Sequence, residues 1–104
     1  MNDRLSQLEE LLKDDPHDSF LQYGIALELA KKGNVPEAIS RIEKLLSEKP
    51  DYIGAYYQLG QYYEAEGNNE EAIDTYKKGI LVAQKINNVK TMNELREALQ
   101  QLEE

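Results

Sequence analysis

A chain of 104 residues is long enough for a modest hydrophobic core and fits one domain. Twelve basic against twenty acidic residues leave a net charge of −8, which argues against binding nucleic acid or anionic lipid, both of which need a basic surface. With no cysteine there is neither a disulfide framework nor a thiol nucleophile, which fits the expected cytoplasmic location.

The opening segment, MNDRLSQLEELLK, is polar and amphipathic and lacks the apolar run of a signal peptide. No stretch approaches the roughly eighteen apolar residues of a membrane-spanning helix. Leu5, Leu8, Leu11 and Leu12 give a helical stripe over 2–14, which Pro16 stops. A second helix is predicted at 18–32, capped by Asp18 or Ser19 and ended by Gly33, which supplies a positive φ. Asn34 takes the turn or helps cap a third helix at 35–48, with Pro36 in its first turn and a stripe at Ile39, Ile42, Leu45 and Leu46. A fourth at 52–66 ends at Gly67. A fifth at 69–86 carries Ala72, Ile73, Tyr76, Ile80 and Ala83. The sixth, at 89–103, is capped by Asn88 and carries Leu95, Ala98, Leu99 and Leu102. No run alternates with period two, so no strand is expected.

The chain says one thing twice. KKGNVPEAI at Lys31–Ile39 returns thirty-four positions later as AEGNNEEAI at Ala65–Ile73. At that shift Tyr23, Gly33, Asn34, Glu37, Ala38, Ile39 and Lys44 fall on Tyr57, Gly67, Asn68, Glu71, Ala72, Ile73 and Lys78. Backwards, Leu5, Leu8, Leu11, Leu12 and Pro16 fall on Ile39, Ile42, Leu45, Leu46 and Pro50, so the chain opens in mid-repeat. The expected organisation is a half-repeat at 1–18, repeats at 19–52 and 53–86, and a capping helix at 87–104.

A thirty-four-residue helix–turn–helix repeat resembles the tetratricopeptide repeat family. In the second repeat Tyr56 stands at the family's Trp, Leu59-Gly60 at its Leu-Gly, Tyr63 at its Tyr, and Ala72 and Tyr76 at its Ala and Phe. The first repeat is looser, with Gln22 for the large aromatic, Leu29 for the Tyr, and Pro50 at the closing Pro. The second departs at its end: Gln84 stands in place of Pro, which lets the fifth helix run on, and Gly79 in place of a small Ala. The resemblance implies an all-α fold of six helices, a right-handed superhelical stack of antiparallel helix pairs. Ala26, Gly60, Ala38 and Ala72 would let paired helices approach closely, with larger side chains filling the rest. The last helix should cover the flank of the fifth around Ile80 and Ala83 with Met92, Leu95, Ala98, Leu99 and Leu102. It would leave Asn93, Arg96, Glu97, Gln100 and Glu104 to solvent.

Little in the sequence points to catalysis. His17, in DDPHDS, reads as part of a Pro-terminated turn, not as a metal ligand, because a metal needs three or four converging ligands. The pairs Glu9/Glu10 and Glu70/Glu71 point about 100° apart on a helix and favour solvent or the helix dipole. No phosphate loop, nucleophile elbow or cofactor motif is present, so no enzyme, cofactor or metal is expected.

The seven tyrosines carry more information. Tyr56, Tyr63 and Tyr76 take packing positions, with hydroxyls reaching the edge. Tyr23 and Tyr57 lie one residue past a packing position and face away from the partner helix. In the family that face of each first helix lines a groove, which implies Tyr23, Leu27 and Ala30 from one repeat and Tyr57, Gln61 and Glu64 from the next. Alternatively the two tyrosines stack on each other. The resemblance implies a non-enzymatic scaffold that holds a short peptide or a helix of another protein. The alternative is a structural, self-associating homo-oligomer, since Leu5, Leu8 and Leu12 have no preceding helix to cover them. Members that grip acidic chaperone tails use Lys, Asn and Arg in the groove; Tyr23, Leu27, Tyr57 and Gln61 supply no such cationic clamp.

Overall fold

The computed structural model describes residues 3–104 as six helices, with no strand among them: α1 (Arg4–Asp14), α2 (Ser19–Lys31), α3 (Val35–Glu48), α4 (Gly54–Ala65), α5 (Asn69–Lys85) and α6 (Val89–Glu103). Each helix lies within two residues of its expected span; the expected start at residue 2 falls outside the described residues. The helices group into two compact units, one ending at Lys49 and one beginning at Pro50.

Two kinds of turn join the helices. After α2, α4 and α5 a residue of positive φ closes a double hydrogen-bonded stop: Gly33 (φ 91°), Gly67 (φ 76°) and Asn87 (φ 60°). The N–H of that residue donates to a carbonyl three back, and the next N–H to one five back. The pairs are Gly33 to Ala30 (2.9 Å) with Asn34 to Leu29 (2.9 Å), Gly67 to Glu64 (2.9 Å) with Asn68 to Tyr63 (2.8 Å), and Asn87 to Gln84 (3.1 Å) with Asn88 to Ala83 (2.9 Å). This is the Schellman arrangement, which satisfies carbonyls a helix end would otherwise leave open. The next helix is then capped from the same turn, with Asn34 Oδ1 accepting from the Glu37 N–H at 3.3 Å and Asn88 Oδ1 from Thr91 at 3.1 Å. Asn68 makes no such side-chain bond. At its other end α5 runs on to a length of 17 residues, as the missing Pro suggested, and stops in the same kind of turn that ends α2 and α4.

After α1 and α3 the turns contain Pro16 and Pro50, and here the two repeats converge by different means. Gln22 Nε2 donates to the Pro16 carbonyl at 2.7 Å, and the Tyr56 hydroxyl donates to the Pro50 carbonyl at 2.5 Å. Gln22 and Tyr56 are equivalent positions, so the looser residue preserves the bond while losing the ring. Asp18 Oδ1, not Ser19, caps α2 by accepting from the Leu21 N–H at 3.0 Å. The His17 carbonyl accepts from Lys49 Nζ at 2.7 Å.

In the first unit Ile25, Ala26, Ala38, Ile42 and Leu45 are fully buried between α2 and α3, with Leu8 of α1 beside them. Leu8 packs over Gly24, where an added Cβ would stand 3.3 Å from its Cδ1. Leu5 and Leu12 are half-covered, while Leu11 is 55% exposed. The expected stripe therefore needs correcting: Leu11 lies about 100° round from Leu12, outside the face that meets α2. A salt bridge of 2.6 Å from Lys32 Nζ to Asp3 fastens the start of α1 to the end of α2.

The second unit packs α5 against both α4 and α6. Ala55, Tyr56, Leu59, Tyr63, Ala72, Tyr76, Ala83 and Leu95 are buried. Two glycines make the close contacts possible. A Cβ on Gly60 would lie 2.1 Å from Cε1 of Tyr76, and one on Gly79 would lie 2.7 Å from Cβ of Tyr56 and 2.9 Å from Cδ1 of Leu95. Gly79, a departure from the family pattern, is the hole that receives Leu95. The anchor of the capping helix is thus Leu95, with no exposed surface, while Met92, Leu99 and Leu102 are only half-buried. Asn93, Arg96, Glu97, Gln100 and Glu104 face solvent as expected.

Candidate functional site

Tyr57, Gln61 and Glu64 follow one another on α4 at steps of four and three residues and so share one face. What fixes that face comes from α5. With Gly60 leaving room, the fully buried Tyr76 ring slides under α4 and brings its hydroxyl out between Gln61 and Glu64. The hydroxyl donates to Glu64 Oε2 in a short hydrogen bond and accepts from Gln61 Nε2 at 2.7 Å. Burial, with the Glu64 carboxylate next, pushes the Tyr76 phenol far above its ordinary value, so it stays protonated and keeps donating. The Tyr57 ring rests beside it, centroid to centroid 6.4 Å with the planes at 43°. Tyr57 is nevertheless 39% exposed.

Across from Tyr57, α6 presents Glu94, Glu97, Ala98 and Gln101, and the five residues line a cleft of about 480 Å³. Glu94, Glu97 and Gln101 line this cleft together with Tyr57, yet the periodicity of α4 does not reveal them. Glu97 is readable in the sequence only as solvated and Ala98 only as core. The available signal is their spacing, since 94, 97, 98 and 101 recur on one face of the capping helix.

In the first unit Tyr23, Leu27 and Ala30 are half-buried along α2, on a helix whose other side supplies Ile25 and Ala26 to the core. Among the described residues no group of three or more His, Cys, Asp or Glu converges as a metal site would require. No helix of the described residues is long and apolar enough to cross a membrane.

Comparison with known proteins agrees with an all-α helical repeat fold. The tetratricopeptide repeat model matches residues 29–99. A TPR repeat-containing protein of Methanocaldococcus jannaschii is 32% identical over 81 residues, 78% of this chain and 25% of the relative. The chain therefore spans a quarter of the length of that curated relative. The solution structure of a tetratricopeptide repeat domain protein from Salinibacter ruber is 40% identical, with a TM-score of 0.82 over 86% of this chain and 90% of that one. A Bordetella parapertussis protein, at 22% identity, shares the fold over 98% of this chain and 89% of its own, with a TM-score of 0.85. The chain belongs to the tetratricopeptide repeat family.

Proposed function

We propose that the chain is a non-enzymatic scaffold that binds a short peptide or helix of another protein through the outward faces of its first-of-pair helices. These faces carry Tyr57, Gln61 and Glu64 on α4, and Tyr23, Leu27 and Ala30 on α2. Family membership supports protein interaction in general. The observation that carries the finer reading is Tyr57: a large amphipathic ring, held against Tyr76 yet 39% exposed, beside hydrogen-bonding groups already fixed in place. Rigid aromatic anchors with polar neighbours are what interfaces use, because little side-chain entropy is lost on binding. The repeats at 19–52 and 53–86, with the half-repeat at 1–18 and the cap at 87–104, are the frame in this reading. Capture from native lysate by the wild type and by Tyr57→Ala, with matched thermal melts, tests it. A partner lost with Tyr57→Ala supports the reading, and a partner set unchanged by that substitution removes the face from consideration.

The second reading, self-association, has its own observations. Leu11 and Phe20 in the first unit, and Leu81, Ile86 and Val89 in the second, are large apolar side chains left exposed. Light scattering over a wide concentration range separates the two readings. A monomer throughout removes the structural alternative.

A further inference from the structure

The cleft over Tyr57 has a definite chemical bias. It is lined by the Tyr57 ring on α4 and, from α6, by Ala98, Gln101 and two carboxylates, Glu94 and Glu97. Neither glutamate forms an ion pair or hydrogen bond among the described residues. Lys90, one turn before Glu94 on the same helix, makes no ion pair with it. The surroundings reinforce this charge, since residues 50–104 contain ten Asp and Glu against five Lys and Arg.

An aromatic face is attractive to a cation because the ring quadrupole is negative above its plane. A guanidinium suits this arrangement better than an ammonium: it is planar, stacks on a ring, is weakly hydrated, and can still reach a carboxylate through its edge N–H groups. The volume is in the ~300–1,000 Å³ range of small-ligand sites, enough for one long side chain and the backbone beside it. Metal is disfavoured by the absence of three converging ligands among the described residues. Nucleic acid and anionic lipid are disfavoured by the sign of the charge.

We propose that the Tyr57 cleft receives an arginine side chain of a basic peptide segment, stacked on the Tyr57 ring and flanked by Glu94 and Glu97. This rests on the peptide-binding reading above and names the chemistry of its partner.

The test uses the full chain and a fluorescein-labelled twelve-residue peptide of Ala, Gly and Gln, with three arginines spaced four apart. Its counterpart carries citrulline, the neutral isostere, at the same places. Fluorescence anisotropy should show saturable binding of the arginine peptide, weakened at least several-fold by citrulline and by added salt. Glu94→Gln with Glu97→Gln should weaken it roughly three- to tenfold, in line with the modest worth of exposed ion pairs. Tyr57→Leu, which keeps the apolar bulk, should weaken it about two- to fivefold through loss of the ring. Glu9→Gln with Glu10→Gln, on exposed positions of α1, should change nothing. Equal binding of the citrulline peptide overturns the proposal, as does equal weakening by the α1 pair or equally tight binding of spermine. A neutral or acidic peptide that saturates and shifts the Tyr57 amide also overturns it, while leaving peptide binding in place. No peptide binding together with self-association overturns both.

Discussion

Leu95→Ala tests how the second unit is closed. Leu95 has no exposed surface, and its Cδ1 occupies the space above Gly79, where there is no side chain to relax into a void. Leu-to-Ala changes in well-packed cores cost ~2–5 kcal/mol, more where the site cannot collapse. A loss of about 3 kcal/mol is therefore expected, and for a chain of this size that lowers Tm by about 12–20 °C. Leu99→Ala, at a half-buried position, should cost about half as much, and Gln100→Ala less than ~0.5 kcal/mol. Gly79→Ala supplies the complementary perturbation. The new methyl meets Leu95 Cδ1 at 2.9 Å, which a flexible side chain can relieve, and Tyr56 Cβ at 2.7 Å, which it cannot. Overpacking of this kind costs ~1–3 kcal/mol, offset in part by the ~1 kcal/mol helix preference for Ala over Gly. In the double variant the contact with Leu95 disappears, so the two losses should sum to more than the observed loss. Thermal and urea denaturation by circular dichroism of wild type, the two single variants at 79 and 95 and the double variant close the cycle, with Leu99→Ala and Gln100→Ala measured beside them. Strict additivity, or a Leu95→Ala melt within about 2 °C of wild type, would refute the packing of α6 over Gly79.

Three other outcomes are expected. Gly60→Ala should cost about 1–3 kcal/mol or more and shift the Tyr76 ring resonances, because a Cβ there would lie 2.1 Å from Cε1 of that ring; a neutral substitution contradicts the insertion of Tyr76 beneath α4. Asn87→Gly should be neutral or stabilising by a few tenths of a kcal/mol, while Asn87→Val should cost ~1–2 kcal/mol, since φ is 60° there; equal melts would deny the left-handed turn. The Asp3 carboxyl, held at about 2 first by its hydrogen bond with Lys32 and then by the Ser6 N–H, should titrate there in a carboxyl-carbon NMR series. Because its folded value is depressed, its contribution is present above 3.8 and is lost as pH falls towards about 2. Lys32→Gln should bring the midpoint back towards 3.8, and an unmoved midpoint would rule out the ion pair in solution.

The helices were legible because their signals are local. Apolar spacing marks a face, and Gly33, Gly67, Pro16 and Pro50 mark stops whose geometry few other residues satisfy. What escaped depends on neighbours distant in sequence. Leu11 looks like part of a stripe, but only the placement of α2 shows which edge of that stripe is covered. Asn87 resembles an ordinary loop residue until the hydrogen bonds of INNV are set beside those of the two Gly-Asn turns. Gly79 reads as a weak match to the family pattern, whereas Leu95, sixteen residues on, explains it. Gln22 reads as a lost aromatic because spacing cannot reveal that its amide reaches the carbonyl that Tyr56 reaches in the next repeat. Of the candidate site, the α4 residues follow from periodicity and resemblance. Glu94 and Gln101 do not, since nothing in a polar capping helix says which of its polar faces meets Tyr57.

The central question is whether the face around Tyr57 is where a partner binds. An amide chemical-shift map of the labelled chain, titrated with a peptide from a partner captured by the wild type, measures this directly. The largest shifts should fall on Tyr57, Gln61, Glu64, Glu94 and Glu97 and saturate together. Shifts confined to the exposed apolar residues, Leu11 and Phe20 or Leu81, Ile86 and Val89, with Tyr57 unmoved, would contradict it.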